Sequence, residues 1–148
     1  MTQLGESAFR RSRITEATLA NSITSIPPAL FSDTQLRTIK LPESTCSIGS
    51  LAFYQTQLTD ITVPEGVTSI GDDGFNGCEL AHVSIPNTVE SIGERAFTAN
   101  SLSDLVTPDS VTAIGEEAFQ GCSDLMVCLP SRFKAESITT TVSIPMIN

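Results

Sequence analysis

Three residues that could do acid–base or metal chemistry recur at one interval in this sequence. Asp60, His82 and Asp104 are spaced 22 residues apart. If equivalent positions lie on adjacent strands, about 4.8 Å apart, the imidazole stands between two carboxylates. A histidine placed there could be a metal ligand or a general base with a raised pKa. The alternative, which we favour, is a solvated row in which opposite charges face each other across strands.

No catalytic motif accompanies this histidine. The sequence has no G-x-S-x-G nucleophile motif, no H-E-x-x-H zinc motif and no glycine-rich phosphate loop before a helix. We therefore predict that the protein is not an enzyme and has no cofactor and no metal site. An enzyme that uses His82 is the alternative.

The cysteines and the acidic residues are further candidate ligands for a metal ion. Cys78 and Cys122 are two repeats apart, which predicts a separation of about 10 Å, too far for a disulfide. No C-x-x-C pair offers a zinc site, so all four cysteines, including Cys46 and Cys128, are predicted to be small core or near-core residues. An acidic stripe could attract calcium or a basic partner, but its spacing resembles no calcium loop and a solvated face is favoured. The stripe comprises Glu6, Asp72–Asp73, Glu94 and Glu116–Glu117.

The candidate residues belong to a 22-residue repeat, which determines where they lie in the fold. The stretch Val67–Phe75 recurs as Val89–Phe97 and as Val111–Phe119, and phenylalanine falls every 22 residues. Such a period is the signature of a solenoid, whose repeats bury their apolar faces only by stacking on their neighbours. The phenylalanines in step are Phe9, Phe31, Phe53, Phe75, Phe97 and Phe119.

Each repeat predicts the same succession of elements. In L-x-x-I-x-V the apolar residues alternate as in a half-buried strand, which the following proline ends. V-T-S-I-G predicts a second short strand and a corner at which glycine has φ > 0. The following E-E-A-F or E-R-A-F predicts one helical or 3-10 turn with the phenylalanine in the core. The fold class is therefore mainly β, a right-handed parallel β-solenoid, with a solenoid of five to six coils over 1–130 and an irregular C-terminal cap over 131–148.

The strand alternation also predicts which residues point outward, in two rows. The first row is Glu16, Thr38, Asp60, His82, Asp104 and Met126, and the second is Thr18, Lys40, Thr62, Ser84, Val106 and Cys128. Repeat solenoids use such open, concave faces to bind partners. We predict another protein as the partner, bound by Thr38, Lys40, Asp60, Thr62, His82, Ser84 and Asp104.

Charge limits the class of partner. The net charge is −9, and residues 41–131 hold 13 acidic residues against Arg95 alone. This argues against nucleic acid, which is bound by clustered lysine and arginine. The first coil is basic, with Arg10, Arg11 and Arg13, and could form a homodimer by docking on an acidic surface of a second copy; ordinary solvated charge is the alternative.

No apolar run approaches the roughly 20 residues of a membrane span. The N-terminus lacks the apolar segment of a secretory signal, which predicts either a cytoplasmic protein or a piece of a longer one.

Over residues 4–130 the repeat L-x-x-I-x-V-P-x-x-V-x-x-I-G-x-x-A-F-x-x-C resembles the BspA-like leucine-rich repeats. The resemblance implies a leucine-rich repeat solenoid without catalytic residues. It also implies a cell-surface or secreted adhesion or binding module, of a kind that in some cases recognises host matrix proteins. The alternative function is a structural spacer or fragment of a larger surface protein that self-associates through its terminal coil.

Overall fold

The computed structural model describes residues 4–122, 126–128 and 130, and it is a parallel β-solenoid whose coils recur every 22 residues. This confirms the predicted fold class. Each coil adds one three-residue and one two-residue strand. The three-residue strands are β1 (Glu16–Thr18), β3 (Thr38–Lys40), β5 (Asp60–Thr62), β7 (His82–Ser84), β9 (Asp104–Val106) and β11 (Met126–Cys128). The two-residue strands are β2 (Ser25–Ile26), β4 (Ser47–Ile48), β6 (Ser69–Ile70), β8 (Ser91–Ile92) and β10 (Ala113–Ile114). The predicted cap over 131–148 lies outside the described residues.

The two kinds of strand form different sheets. The two-residue strands make one continuous five-stranded parallel sheet, in the order β10-β8-β6-β4-β2. The three-residue strands make three separate two-stranded sheets, β1-β3, β5-β7 and β9-β11, where the period predicts a single sheet. Two breaks in the strand ladder therefore lie on this side, between β3 and β5 and between β7 and β9.

The phenylalanines stack in one column through the centre of the molecule. Consecutive ring centroids lie between 5.1 and 5.9 Å apart, and the ring planes are within 17° of parallel. Phe31 to Phe119 are at most 1% exposed, whereas Phe9 in the first coil is 37% exposed. The predicted column is thus confirmed, and each ring from Phe9 to Phe97 lies against the ring of the next coil.

The turn before each phenylalanine is not helical, which corrects the prediction of a helical or 3-10 turn. No helix occurs among the described residues. Arg95 has φ of 51°, in the left-handed region, and its N–H donates to the Glu116 carbonyl of the next coil at 2.9 Å. Asp73 does the same, with φ of 55° and a bond of 2.8 Å to the Glu94 carbonyl. Because these N–H groups bond to the neighbouring coil, they are not available to continue a helix.

The corner glycines are also not in the predicted conformation. Among the described glycines only Gly77 and Gly121 have positive φ, and neither is a corner glycine. At Gly71 and Gly93 a Cβ atom would lie 2.5 Å from a backbone nitrogen of the preceding coil. Glycine is therefore needed at the corner because two backbones approach closely there.

We expect Phe75→Ala to lower the free energy of unfolding by about 3–5 kcal/mol, because it removes one buried ring from the column and leaves a cavity between coils. Urea unfolding followed by circular dichroism measures the change. Thr62→Ala, on an exposed strand position, is the control and should stay within about 0.5 kcal/mol. Similar losses for the two variants would contradict the role of the column.

We expect Thr45→Val to raise the free energy of unfolding by about 1 kcal/mol. Thr45 is fully buried at the position that valine occupies in Val67, Val89 and Val111, and its hydroxyl oxygen has no hydrogen-bond partner. A shift of the urea midpoint with an unchanged slope measures the gain. Thr45→Ser, which keeps the hydroxyl and removes a methyl group, should instead lose about 0.8 kcal/mol. A loss of stability in the valine variant would refute this reasoning.

Candidate functional site

The two outward rows lie on the three-residue strands as predicted. Asp60 is in register with His82, and Thr62 with Ser84, across β5 and β7. Thr38 and Lys40 hold the equivalent positions of β3, opposite Glu16 and Thr18 of β1. These row side chains are exposed: Glu16, Thr18, Thr38, Lys40, Asp60, Thr62, His82 and Ser84. Asp104 is in register with Met126 across β9 and β11, so its strand position belongs to the first row.

The residues between the rows point inward and anchor this face to the core. Ile61 and Leu105 are no more than 3% exposed, and Ile39 and Val83 are partly buried against the core. The alternation follows from the two-residue period of a strand. Each outward side chain is therefore attached to backbone that the inward neighbours anchor to the core. The rows are thus an array of hydroxyl, ammonium, carboxylate and imidazole groups at regular spacing.

The breaks in the ladder add two cavities to this face. A cavity of about 450 Å³ at the β3/β5 break is lined by Arg37, Thr38, Gln57, Thr59 and Glu79. One of about 360 Å³ at the β7/β9 break is lined by His82, Val83, Ser84, Ile85, Asn87, Leu105, Val106 and Pro108. Val106 is 68% exposed although the equivalent positions carry polar residues. The first cavity is therefore polar, and the second combines an apolar side chain with hydrogen-bonding groups.

Asp60 and His82 stand on adjacent strands, as the sequence predicts, but among the described residues no three histidine, cysteine or acidic side chains converge to hold a metal ion. The described residues also include no helix that could cross a membrane.

A column of polar side chains lies beside the phenylalanines, and the sequence analysis did not predict it. Cys78 and Cys122 are buried as predicted, and their thiols donate to the carbonyls of Phe53 and Phe97 at 3.0 and 3.2 Å. Asn100, one coil after Cys78, donates its amide to Phe75 O at 2.8 Å and accepts the Leu80 N–H at 3.1 Å. The available signal was the recurrence of small polar residues three places after each phenylalanine. This column satisfies backbone groups inside the solenoid and contributes nothing to the outward face.

Cys46 is exposed. The prediction that all the cysteines are core or near-core residues is therefore wrong for Cys46. The buried position is the preceding one, held by Thr45, and Cys46 shares an exposed row with Thr68 and Glu90. The side chain of Cys128 is outside the described part of the chain.

The acidic stripe makes internal contacts. The Arg95 guanidinium binds both carboxylate oxygens of Asp73 at 3.2 Å and contacts Glu94 at 3.3 Å. The Asp73 carboxylate, by accepting these hydrogen bonds, raises the pKa of Arg95 above its ordinary value. The Glu94 N–H donates to the Asp72 carboxylate at 2.8 Å. Part of the predicted solvated face is therefore engaged in holding the corner together.

In the folded protein we expect iodoacetamide at about pH 8 to modify Cys46 at least about 100-fold faster than Cys78, because the thiolate is the nucleophile and is present only above the thiol pKa. Burial raises the pKa of Cys78 to about 11 and also raises that of Cys122. Peptide mass spectrometry over time gives the three rates. In concentrated guanidinium the rates should converge; equal rates in the folded state would contradict the burial of Cys78.

Comparison with known proteins gives a family and solved structures of related shape. The BspA type leucine rich repeat region matches residues 2–126, in six copies. A leucine rich cell surface protein from Faecalibacterium prausnitzii A2-165 is 29% identical, with a TM-score of 0.63, over 84% of this chain and 41% of that one. A leucine rich repeat protein from T. pallidum is 25% identical, with a TM-score of 0.50, over 81% of this chain and 61% of that one. The chain thus spans less than two thirds of either protein. No curated protein matches it.

Proposed function

Because the chain belongs to the BspA-type leucine-rich repeat family, we propose that it is a non-catalytic module that binds another protein through the outward rows of its three-residue strands. The binding residues in this proposal are Thr38, Lys40, Asp60, Thr62, His82, Ser84 and Asp104. The observation that carries it is the register of Asp60 with His82 and of Thr62 with Ser84, all four exposed.

The breaks in the strand ladder support this face over the other side of the solenoid. The two-residue strands on that other side form one continuous five-stranded sheet without such a break. The three-residue strands carry cavities at both breaks, and exposed Val106 lines one of them. A protein partner with an apolar side chain near Val106 and polar groups along the rows fits this pattern, because interfaces join a small apolar centre to a polar rim.

The family relationship supports a place at the cell surface. The F. prausnitzii protein is a leucine rich cell surface protein, and this chain covers 41% of it. We accordingly propose that the module is displayed at a cell surface and meets its protein partner there. Labelling of intact cells with an antibody against the chain tests this, and labelling that requires lysis would oppose it.

Replacing Asp60 and His82 together by alanine should weaken partner binding at least about tenfold, which corresponds to about 1.4 kcal/mol. The intact protein is first used in an unbiased cross-linking screen to obtain the partner, and affinities are then measured by calorimetry. The matched control is Glu90→Ala with Thr112→Ala, two exposed positions outside the rows. If the row variant retains every partner at full affinity, the strand face is not the binding surface.

A structural spacer in a larger surface protein is the second candidate. The phenylalanine column and the coil-to-coil hydrogen bonds tie each coil to the next, as a spacer requires, and the chain spans only 41% of the F. prausnitzii protein. A spacer has no partner of its own, so the screen would return none while the full-length gene product would bind through another region.

A further inference from the structure

The corner turns form a second stacked surface, distinct from the strand face. Equivalent residues line up coil upon coil, and we call this line the corner column. It consists of Ser7, Ala29, Leu51, Asp73, Arg95 and Glu117, each preceded by Glu6, Pro28, Ser50, Asp72, Glu94 or Glu116. Hydrogen bonds fix the stacking: Ser7 N–H donates to Pro28 O at 3.0 Å, Leu51 N–H to Asp72 O at 2.9 Å, and Arg95 N–H to Glu116 O at 2.9 Å.

Charge changes sign along the corner column. Beside its first coil Arg10, Arg11 and Arg13 are all exposed and stand against Glu6 and Asp33, which leaves a local charge of +1. The last three coils carry five carboxylates and one arginine, a local charge of −4. Between them the column is uncharged and includes Leu51, which is 37% exposed. The surface is therefore basic at one end, apolar in the middle and acidic at the other end.

The internal ion pairs leave charge available at both ends. Arg95 is held by Asp73 and Glu94 within the acidic half. In the basic half Arg10 contacts Asp33 at 3.5 Å with its side chain still 47% exposed. Arg11, Arg13 and Glu116 are exposed and form no ion pair with another described residue.

We propose that two copies of this chain associate side by side and antiparallel through their corner columns. A two-fold axis midway between Leu51 and Asp73 places the first coil of each copy against the sixth coil of the other, so that Arg10 and Arg11 face Glu116 and Glu117 twice. A two-fold interface must be self-complementary, and a surface whose charge reverses from end to end is self-complementary only in this orientation. Parallel pairing would set arginine against arginine and carboxylate against carboxylate, which is repulsive. The proposal goes beyond partner binding by the strand face and uses a different surface.

Sedimentation velocity on the intact chain tests the association. We expect a dimer at about 200 µM protein and about 20 mM salt, with a dissociation constant at least about tenfold weaker at 0.5 M salt, because exposed charge pairs are screened. A chain that is monomeric at low salt over this concentration range overturns the proposal.

Two charge reversals test the orientation. Arg10→Glu with Arg11→Glu makes both ends acidic, and Glu116→Lys with Glu117→Lys makes both ends basic, so each variant alone should be monomeric. Mixed in equal amounts they should form a heterodimer, since every contact between the two variants again joins opposite charges. Recovery on mixing also shows that both variants are folded.

The matched control is Arg37→Glu with Lys40→Glu, which makes the same change of charge at exposed positions on the strand face. This control should dimerise like the parent chain. A dimer that survives either corner reversal, a mixture without heterodimer, or a dimer lost only in the strand-face control would each refute the corner-column interface. These results are independent of whether the strand face binds a partner.

Discussion

The contact between one phenylalanine ring and the next holds this molecule together. A 22-residue coil has too little apolar surface to close a core of its own, and its ring is covered only when another ring lies on it, at 5.1 to 5.9 Å between centroids. Stability in such a molecule is a sum over neighbouring coils. The interval between rings cannot change in one coil without displacing its strands from register with the next.

This constraint decides where function can be located. Positions that face the column carry mostly Phe, Leu, Ile, Val and Ala, with Thr45 as an exception, and the position beside it carries small residues that bond to backbone carbonyls, such as Cys78 and Asn100. The outward strand positions and the corner column carry no such restriction. Chemical variety therefore accumulates there, as lysine, aspartate and histidine on the strands and as a reversal of charge along the corners.

The sequence predicted those features that depend on period alone. The phenylalanine column and the register of Asp60 with His82 follow from an interval of 22 residues and strand alternation. The corner glycine and the non-helical turn depend on how closely one backbone approaches the next, which the spacing of residues does not report. The exposure of Cys46 was available from the spacing, because Cys46 shares its row with Thr68 and Glu90 and the inward position is that of Thr45. The breaks in the strand ladder, which bring His82 and Val106 into one cavity, also have no counterpart in the period. The 22-residue recurrence was thus sufficient to predict the fold. It was not sufficient to predict the shape of the candidate site, which depends on the breaks between strands.

Among the residues that the structure describes, ten non-glycine residues in the turns hold left-handed backbone angles, among them Leu51 and Ala99. Side chains with a Cβ atom adopt this conformation at a cost of about 1 kcal/mol or more each. Hydrogen bonds to the adjoining coil offset that cost, so a coil with a neighbour on one side only is the least protected from opening. Amide hydrogens in such a solenoid exchange first at its extremities, and the molecule unravels progressively from there.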